Sequence, residues 1–300
     1  MYATKVSEGV YLLDTVALGQ ENTVGVYVIK AEKTALVDCG YASSYQNVLL
    51  GLNEIGVAPT DVRYLIPTHV HLDHAGAAGH LMRSMPNAQL LVHEKGAPHL
   101  VDPTRLLESA TKVFGEATME LYGRPAPVPA ERVIPVGKEM HVDLGGGTTA
   151  TLIHTPGHAP HQISVLLERG NMLMTADAVG IVYPGLNTLI PTTPPPSFDP
   201  GALVGTVGQL EQTTPRKLLV PHFGTRDDPG RVLGDTRAKV LQWVREVGDM
   251  RNKGLALEQA SDVMAAKVME EAGVGDMPVY AKVSVRTSVM GIMHYLEKNA

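Results

Sequence analysis

The sequence predicts an α/β or α+β fold in which helices cover β-sheets, with an all-helical segment closing the chain. Three observations carry that expectation. Short apolar runs of strand length recur through the first 225 residues. Stretches of helical spacing lie between them. From Pro229 onward every long stretch has helical spacing. Strand-rich blocks interleaved with helices pack as sheets covered by helical layers.

Taken in order, GVYLLDT (9–15), TVGVYVIK (23–30) and KTALVDCG (33–40) read as strands, the last buried and ending at Gly40. Residues 42–55 have helical spacing. RYLIPT (63–68) is a short apolar strand, and a helix is expected from about Asp73 to Arg83. AQLLVH (88–93) is another strand. Residues 97–130 break this rhythm as a helical insertion, with Leu106, Leu107, Val113, Phe114, Met119 and Leu121 as its apolar positions. TATLIHT (149–155), QISVLLE (162–168) and NMLMTAD (171–177) form a second β-rich block. Residues 183–201 carry six prolines and exclude regular structure. A helix near 201–212 and the strand KLLVP (217–221) follow, then helices over 230–252, 257–271 and 278–298. The expected organisation is a catalytic domain over 1–225 and a helical segment over 226–300 packed on its core.

Composition narrows the function. Of the 300 residues, 44% are hydrophobic and 19% charged, enough to build a substantial core. A net charge of −6 without a basic stripe argues against nucleic acid. No apolar run reaches 18 residues, so no membrane span is expected. The N-terminus lacks a basic stretch followed by an apolar run, so no signal peptide is expected. The single cysteine, Cys39, excludes an intrachain disulfide. Together these lead to the expectation of a soluble cytoplasmic protein. The apolar helices of 103–123 offer a surface for a homodimer.

The chemistry concentrates in IPTHVHLDHAG (66–76), where three of the 12 histidines and an aspartate fall within six positions. Imidazole nitrogen and carboxylate oxygen are the ligands that zinc and similar divalent ions prefer. His69 and His71, in a loop at a strand end, can grip one ion, and Asp73 and His74 a second. Asp73 alone would read as a helix N-cap. Four residues cannot complete two ions, so the remaining ligands must come from other strand ends. His158 in HTPGHAPHQIS, Asp177 in LMTADAV and His222 in LLVPHFGT all stand there. His154 and His161 flank the His158 turn as pocket or supporting residues. His80, His93, His99, His141 and His294 match no such pattern.

This ordered set resembles that of the metallo-β-lactamase superfamily of hydrolases, over about residues 5–225. The resemblance implies a four-layer αββα sandwich with the site at one edge. It implies that His69, His71 and His158 bind one metal ion, that Asp73, His74 and His222 bind another, and that Asp177 bridges the two. Asp38, in LVDCG, matches an aspartate that supports the site without touching metal. Two divalent ions are expected, zinc by default, with iron, manganese or cobalt also accepted by such ligands.

A hydroxide held between two ions would attack a carbonyl or phosphoryl centre, with Asp73 as proton acceptor. No GxSxG nucleophile motif is present, in agreement. The insertion and the proline-rich loop should shape the pocket. No basic residue lies between Tyr183 and Pro200, where a polyanion would need clamps. A neutral ester is therefore expected, foremost a lactone, with phosphotriesters as a side activity. Tyr183 is a candidate donor to the oxyanion or a loop tyrosine packed on prolines. A glyoxalase II-like thioesterase and a mononuclear-iron persulfide dioxygenase are the alternatives on the same scaffold.

Overall fold

The computed structural model describes residues 1–299. The chain forms two compact units. One comprises 1–154, 161–176 and 218–225; the other comprises 155–160, 177–217 and, among the described residues, 226–299. One division falls between 225 and 226, and others fall within 1–225. The turn around His158 and the stretch from Asp177 to Lys217 group with the helical segment.

The first unit is built on two sheets. The larger has the order β1 (Ala3–Ser7), β2 (Val10–Asp14), β3 (Gly25–Ile29), β4 (Thr34–Val37), β5 (Val62–Ile66), β6 (Gln89–His93) and β7 (Val133–Val136). Its first four strands pair antiparallel and the rest parallel. The smaller sheet runs, from its far edge, β13 (Thr225–Arg226), β12 (Lys217–Leu219), β11 (Met172–Met174), β10 (Ile163–Leu167), β9 (Thr149–His154) and β8 (Glu139–Asp143).

Side-chain alternation explains the apolar runs. Leu12, Tyr27, Val37 and Ile66 pack with Leu152, Ile163, Val165, Met174 and Leu219 between the two sheets. Their neighbours Leu13, Val28, Leu36 and Leu65 face the other way. There they meet Val48 and Leu52 of α1 (Tyr45–Glu54) and Leu81 and Met82 of α3 (Ala78–Ser84). Successive strand residues point to opposite faces, so a strand covered on both sides must be apolar throughout. Each such Leu or Ile contributes about 1.5–3 kcal/mol by burial.

The parallel pairing of β4 with β5 sets Val37 beside Ile66. The residues that follow, Asp38 and the histidine run, therefore leave the sheet at the same end. The single helix expected over 73–83 is instead α2 (Leu72–Ala75) and α3, separated at Gly76. A Cβ on Gly76 would come within 2.2 Å of the Leu72 carbonyl oxygen and 2.9 Å of the Ala42 nitrogen. Ala77 donates to the Gly40 carbonyl at 2.9 Å, so the break presses this turn onto the chain after β4. The insertion is helical as expected: α4 (Ala97–Val101), α5 (Thr104–Phe114) and α6 (Glu116–Tyr122). Strands β1 and β8 are short and half-polar, and β7 (VIPV) is only four residues with a proline inside, so their sequences carry little periodic signal.

The second unit holds α7 (Pro200–Gln212), α8 (Pro229–Asn252), α9 (Leu257–Ala272) and α10 (Val279–Lys298). Asp199 caps α7 by accepting from the Ala202 N–H at 2.9 Å, with Pro200 in the first helical position. Gly273, at φ 68°, ends α9, and Val274 N–H reaches the Met269 carbonyl. Trp243, Met264, Val285 and Ile292 are buried among these helices. The proline-rich loop is irregular but anchored. Ser288 donates to the Pro191 carbonyl at 2.6 Å and Thr193 to the Ser288 carbonyl at 3.0 Å. Among the described residues no helix is long and apolar enough to cross a membrane.

Candidate metal centre

In the first unit, β5 delivers the chain to Thr68, His69 and His71, and α2 begins at Leu72. His71 is extended (φ −61°, ψ 153°) and makes no capping bond with its side chain. Its Nδ1 stands 2.9 Å from His69 Nε2. Two imidazole nitrogens on one tetrahedral zinc lie about 3.3 Å apart, given bonds of roughly 2.0–2.1 Å. The pair therefore converges as co-ligands do. The His74 ring lies 4.1 Å from that of His69 and 5.3 Å from that of His222. Ligand atoms of Asp73, His74 and His222 all fall within 4.8 Å of one another.

Tautomers can be read from the hydrogen bonds. Asp38 is buried and left-handed (φ 67°), a conformation aspartate tolerates better than most residues. Its Oδ1 accepts from Thr68 N–H at 2.8 Å and from the Thr68 hydroxyl at 2.7 Å. The hydroxyl proton is committed to that carboxylate. The 3.1 Å contact between Thr68 Oγ1 and His69 Nδ1 then requires the imidazole to donate. His74 Nδ1 donates likewise to Asp38 Oδ2 at 3.0 Å. His222 Nδ1 donates to the Thr23 carbonyl at 3.2 Å. In each of these three rings the proton sits on Nδ1, which leaves the Nε2 lone pair for a metal. His74 Nε2 and His222 Nε2 approach the same oxygen, Asp73 Oδ2, at 3.4 and 3.6 Å. His71 is the exception, presenting Nδ1.

The second unit holds the other two expected ligands together. His158 Nε2 lies 3.5 Å from Asp177 Oδ2, and His158 Nδ1 donates to the Thr192 carbonyl at 2.9 Å. Thr192 in turn donates its hydroxyl to the Asp177 carbonyl at 2.9 Å. Gly157, at φ 133°, is obligatory here. A Cβ would fall 2.4 Å from Leu203 Cα and nitrogen, and the Gly157 carbonyl accepts from Asp199 N–H at 2.8 Å. The α7 N-terminus thus fixes the His158 turn.

A buried donor set of imidazoles with fixed tautomers and carboxylates suits a divalent cation. The residues present therefore fit the divalent metal that the sequence led us to expect.

Other expectations fall as follows. Tyr183 is buried, its hydroxyl hydrogen-bonded to Ser284 Oγ at 2.7 Å and its ring edge-on to Tyr280 at 4.9 Å. It packs on α10. Cys39 is buried, and burial together with the Asp38 charge pushes its thiol well above the usual range. His161 stacks parallel to His69 at 6.3 Å and stands edge-on to His71 at 6.1 Å. His99 approaches His161 at 6.5 Å. His154 stacks on His93 at 4.0 Å.

Two features escape the sequence reading. Thr68 is the hydroxyl link, and its place directly before His69 is a usable signal for it. Tyr41 and Tyr122 are 81 positions apart and belong to no motif. Tyr122 is buried at the end of α6, and burial followed by the Asp73 charge raises its phenol pKa, while Tyr41 opposes this.

Comparison with known proteins agrees with this geometry. The family described as the metallo-beta-lactamase superfamily matches residues 19–229. The metallo-beta-lactamase fold-containing protein ST1585 of Sulfurisphaera tokodaii is 34% identical over 174 residues, covering 57% of this chain and 61% of that protein. The N-acyl homoserine lactonase AttM of Azorhizobium caulinodans is 29% identical over 127 residues, covering 41% of this chain and 44% of that protein. The matches thus span about half to three-fifths of these relatives. The crystal structure of the metallo-beta-lactamase family protein TTHA1429 of Thermus thermophilus superposes with a TM-score of 0.71 at 19% identity, covering 98% of this chain and 95% of that one, and shows the shared fold. With the family match extending over most of its length, the chain belongs to the metallo-β-lactamase superfamily.

Proposed function

We propose that the protein is a dinuclear metal-dependent hydrolase of a neutral ester, foremost a lactone. His69, His71 and His158 would hold one ion, Asp73, His74 and His222 the other, and Asp177 both. The observation that carries this is the tautomer pattern. His69, His74, His158 and His222 each donate from Nδ1 to a fixed acceptor. That arrangement reserves Nε2 for a metal. Divalent ions at these residues supply a water acidified to near neutral pH and a Lewis acid for the carbonyl oxygen.

The chain's own groups do the rest. Asp38 and Thr68 hold the His69 and His74 rings in place, so little reorganisation is needed during reaction. Asp73 keeps 22% of its side chain exposed, against 6% for Asp177. It is the carboxylate open to substrate and takes the proton released on attack. The lack of basic residues in the proline-rich loop favours a neutral substrate. The 29% identity to an N-acyl homoserine lactonase supports a lactone. Phosphotriesters, neutral and attacked the same way, would be a side activity.

The test combines elemental analysis of protein purified without added metal with a screen of lactones, aryl esters, a phosphotriester and S-lactoylglutathione. Two equivalents of metal and fastest turnover of lactones are expected. Fastest turnover of the thioester would transfer the proposal to a glyoxalase II-like reaction. One equivalent of iron with oxygen consumption would overturn hydrolysis.

A further inference from the structure

The helical insertion ends beside the centre. Gly123, directly after α6, is left-handed (φ 75°), and a Cβ there would lie 2.7 Å from the Ser43 nitrogen. The end of α6 is therefore seated on the backbone that follows β4. Tyr41 in that segment stacks on Tyr122, with centroids 4.4 Å apart and planes at 24°. Phe114 closes on Tyr122 edge-on at 5.8 Å. Leu72, the residue between His71 and Asp73, belongs to the same apolar cluster, as does Met119.

A stacked pair of tyrosines could serve only to anchor the insertion. Packing needs the rings, however, and phenylalanine would provide them. Leu72 of the same cluster adjoins Asp73, so hydroxyls at this place stand near the solvent-open carboxylate of the site, backed by an apolar wall. A bound neutral acyl compound presents the complement: an acceptor oxygen with hydrocarbon attached. We propose that Tyr41 and Tyr122 are the specificity-determining pair of this site. Their hydroxyls hydrogen-bond an acceptor oxygen of the bound ester, and the wall of Leu72, Phe114 and Met119 takes its hydrocarbon. This rests on the reading of the centre as an ester hydrolase.

The test uses the metal-loaded full chain, wild type, Tyr122→Phe and Tyr41→Phe. Three quantities are measured: metal content with thermal midpoint, kcat and KM on lactones of short and long alkyl chain, and calorimetric binding of an uncleaved lactam analogue. Tyr122→Phe should retain metal and fold. It should raise both KM and the lactam Kd by roughly tenfold, the worth of one hydrogen bond, with Tyr41→Phe affected less. Unchanged KM and lactam Kd with a lowered thermal midpoint would overturn the proposal and leave the pair as an anchor. Wild type that binds the lactam but cleaves no ester would overturn the hydrolase reading alone, and the pair would still be judged by lactam binding. Wild type that neither binds nor cleaves overturns both.

Discussion

The candidate ligand histidines are held by two different means. After β5 one carboxylate serves two rings: Asp38 accepts a hydrogen bond from His74 directly and supports His69 through the Thr68 hydroxyl. For His222 and His158 the acceptors are main-chain carbonyls, of Thr23 and Thr192 respectively. A carboxylate hub is strong, since charge-assisted bonds are about twice as strong as neutral ones, and it concentrates the risk in one side chain. Carbonyl acceptors are weaker singly but cannot be removed by substitution. The hub-held rings should therefore be fragile to single changes and the carbonyl-held rings resistant, except at the histidines themselves.

The same difference decides what was legible from sequence. The candidate ligands stood out because imidazoles and carboxylates clustered at strand ends, a pattern that needs no tertiary contact to see. Asp38 entered only through family resemblance, and nothing in the LVDCG run itself announces two histidine partners. Thr23 and Thr192 contribute carbonyl oxygens, which every residue possesses, so no side-chain pattern could single them out. The buried strands were legible because covered faces demand apolar residues. The break at Gly76 was not, because it depends on the approach of Ala42 from 34 positions away.

The largest expected effect lies at a ligand. Asp177→Ala should lose metal and activity together, with a fall of several kcal/mol in transition-state stabilisation, roughly a thousandfold in rate. Full dinuclear occupancy in that variant would contradict the proposed bridging role. Next comes the hub. Asp38→Asn keeps the shape and can still accept from Thr68, but turns an amide N–H toward His74. His74 must then accept on Nδ1 and carry its proton on Nε2, the wrong tautomer for a ligand. Metal affinity should fall about 10–100-fold, read by competition with a chelator. An unchanged affinity would show that His74 does not depend on Asp38.

Two threonine variants sharpen the contrast further. Thr68→Val cuts the link from Asp38 to His69, and metal affinity should drop about tenfold, with about 1–2 kcal/mol of stability lost. Thr192→Val removes hydroxyl bonds to the Asp177 and Val179 carbonyls but keeps the carbonyl that His158 uses. It should cost about 1 kcal/mol in urea unfolding while leaving metal affinity near that of wild type. Equal losses of affinity in both variants would erase the distinction between hub and carbonyl support.

The smallest effect concerns a histidine outside either support. His93 reverses the ligand pattern, because its Nδ1 accepts from the Lys95 N–H at 3.2 Å instead of donating. Burial, and then the neighbouring His154, lower its pKa from 6.5 to about 4; Lys95 adds to this and Glu94 opposes it. At pH 5 the unfolded chain binds a proton at this position that the folded chain refuses. Stability contributed here is complete above about pH 7 and is lost as the pH falls toward 4. Urea unfolding of metal-free protein should therefore show a shallower loss between pH 7 and 5 for His93→Gln than for wild type. Parallel pH profiles would mean that His93 titrates alike in both states, and Nδ1 acceptance would no longer separate a packed histidine from a ligand.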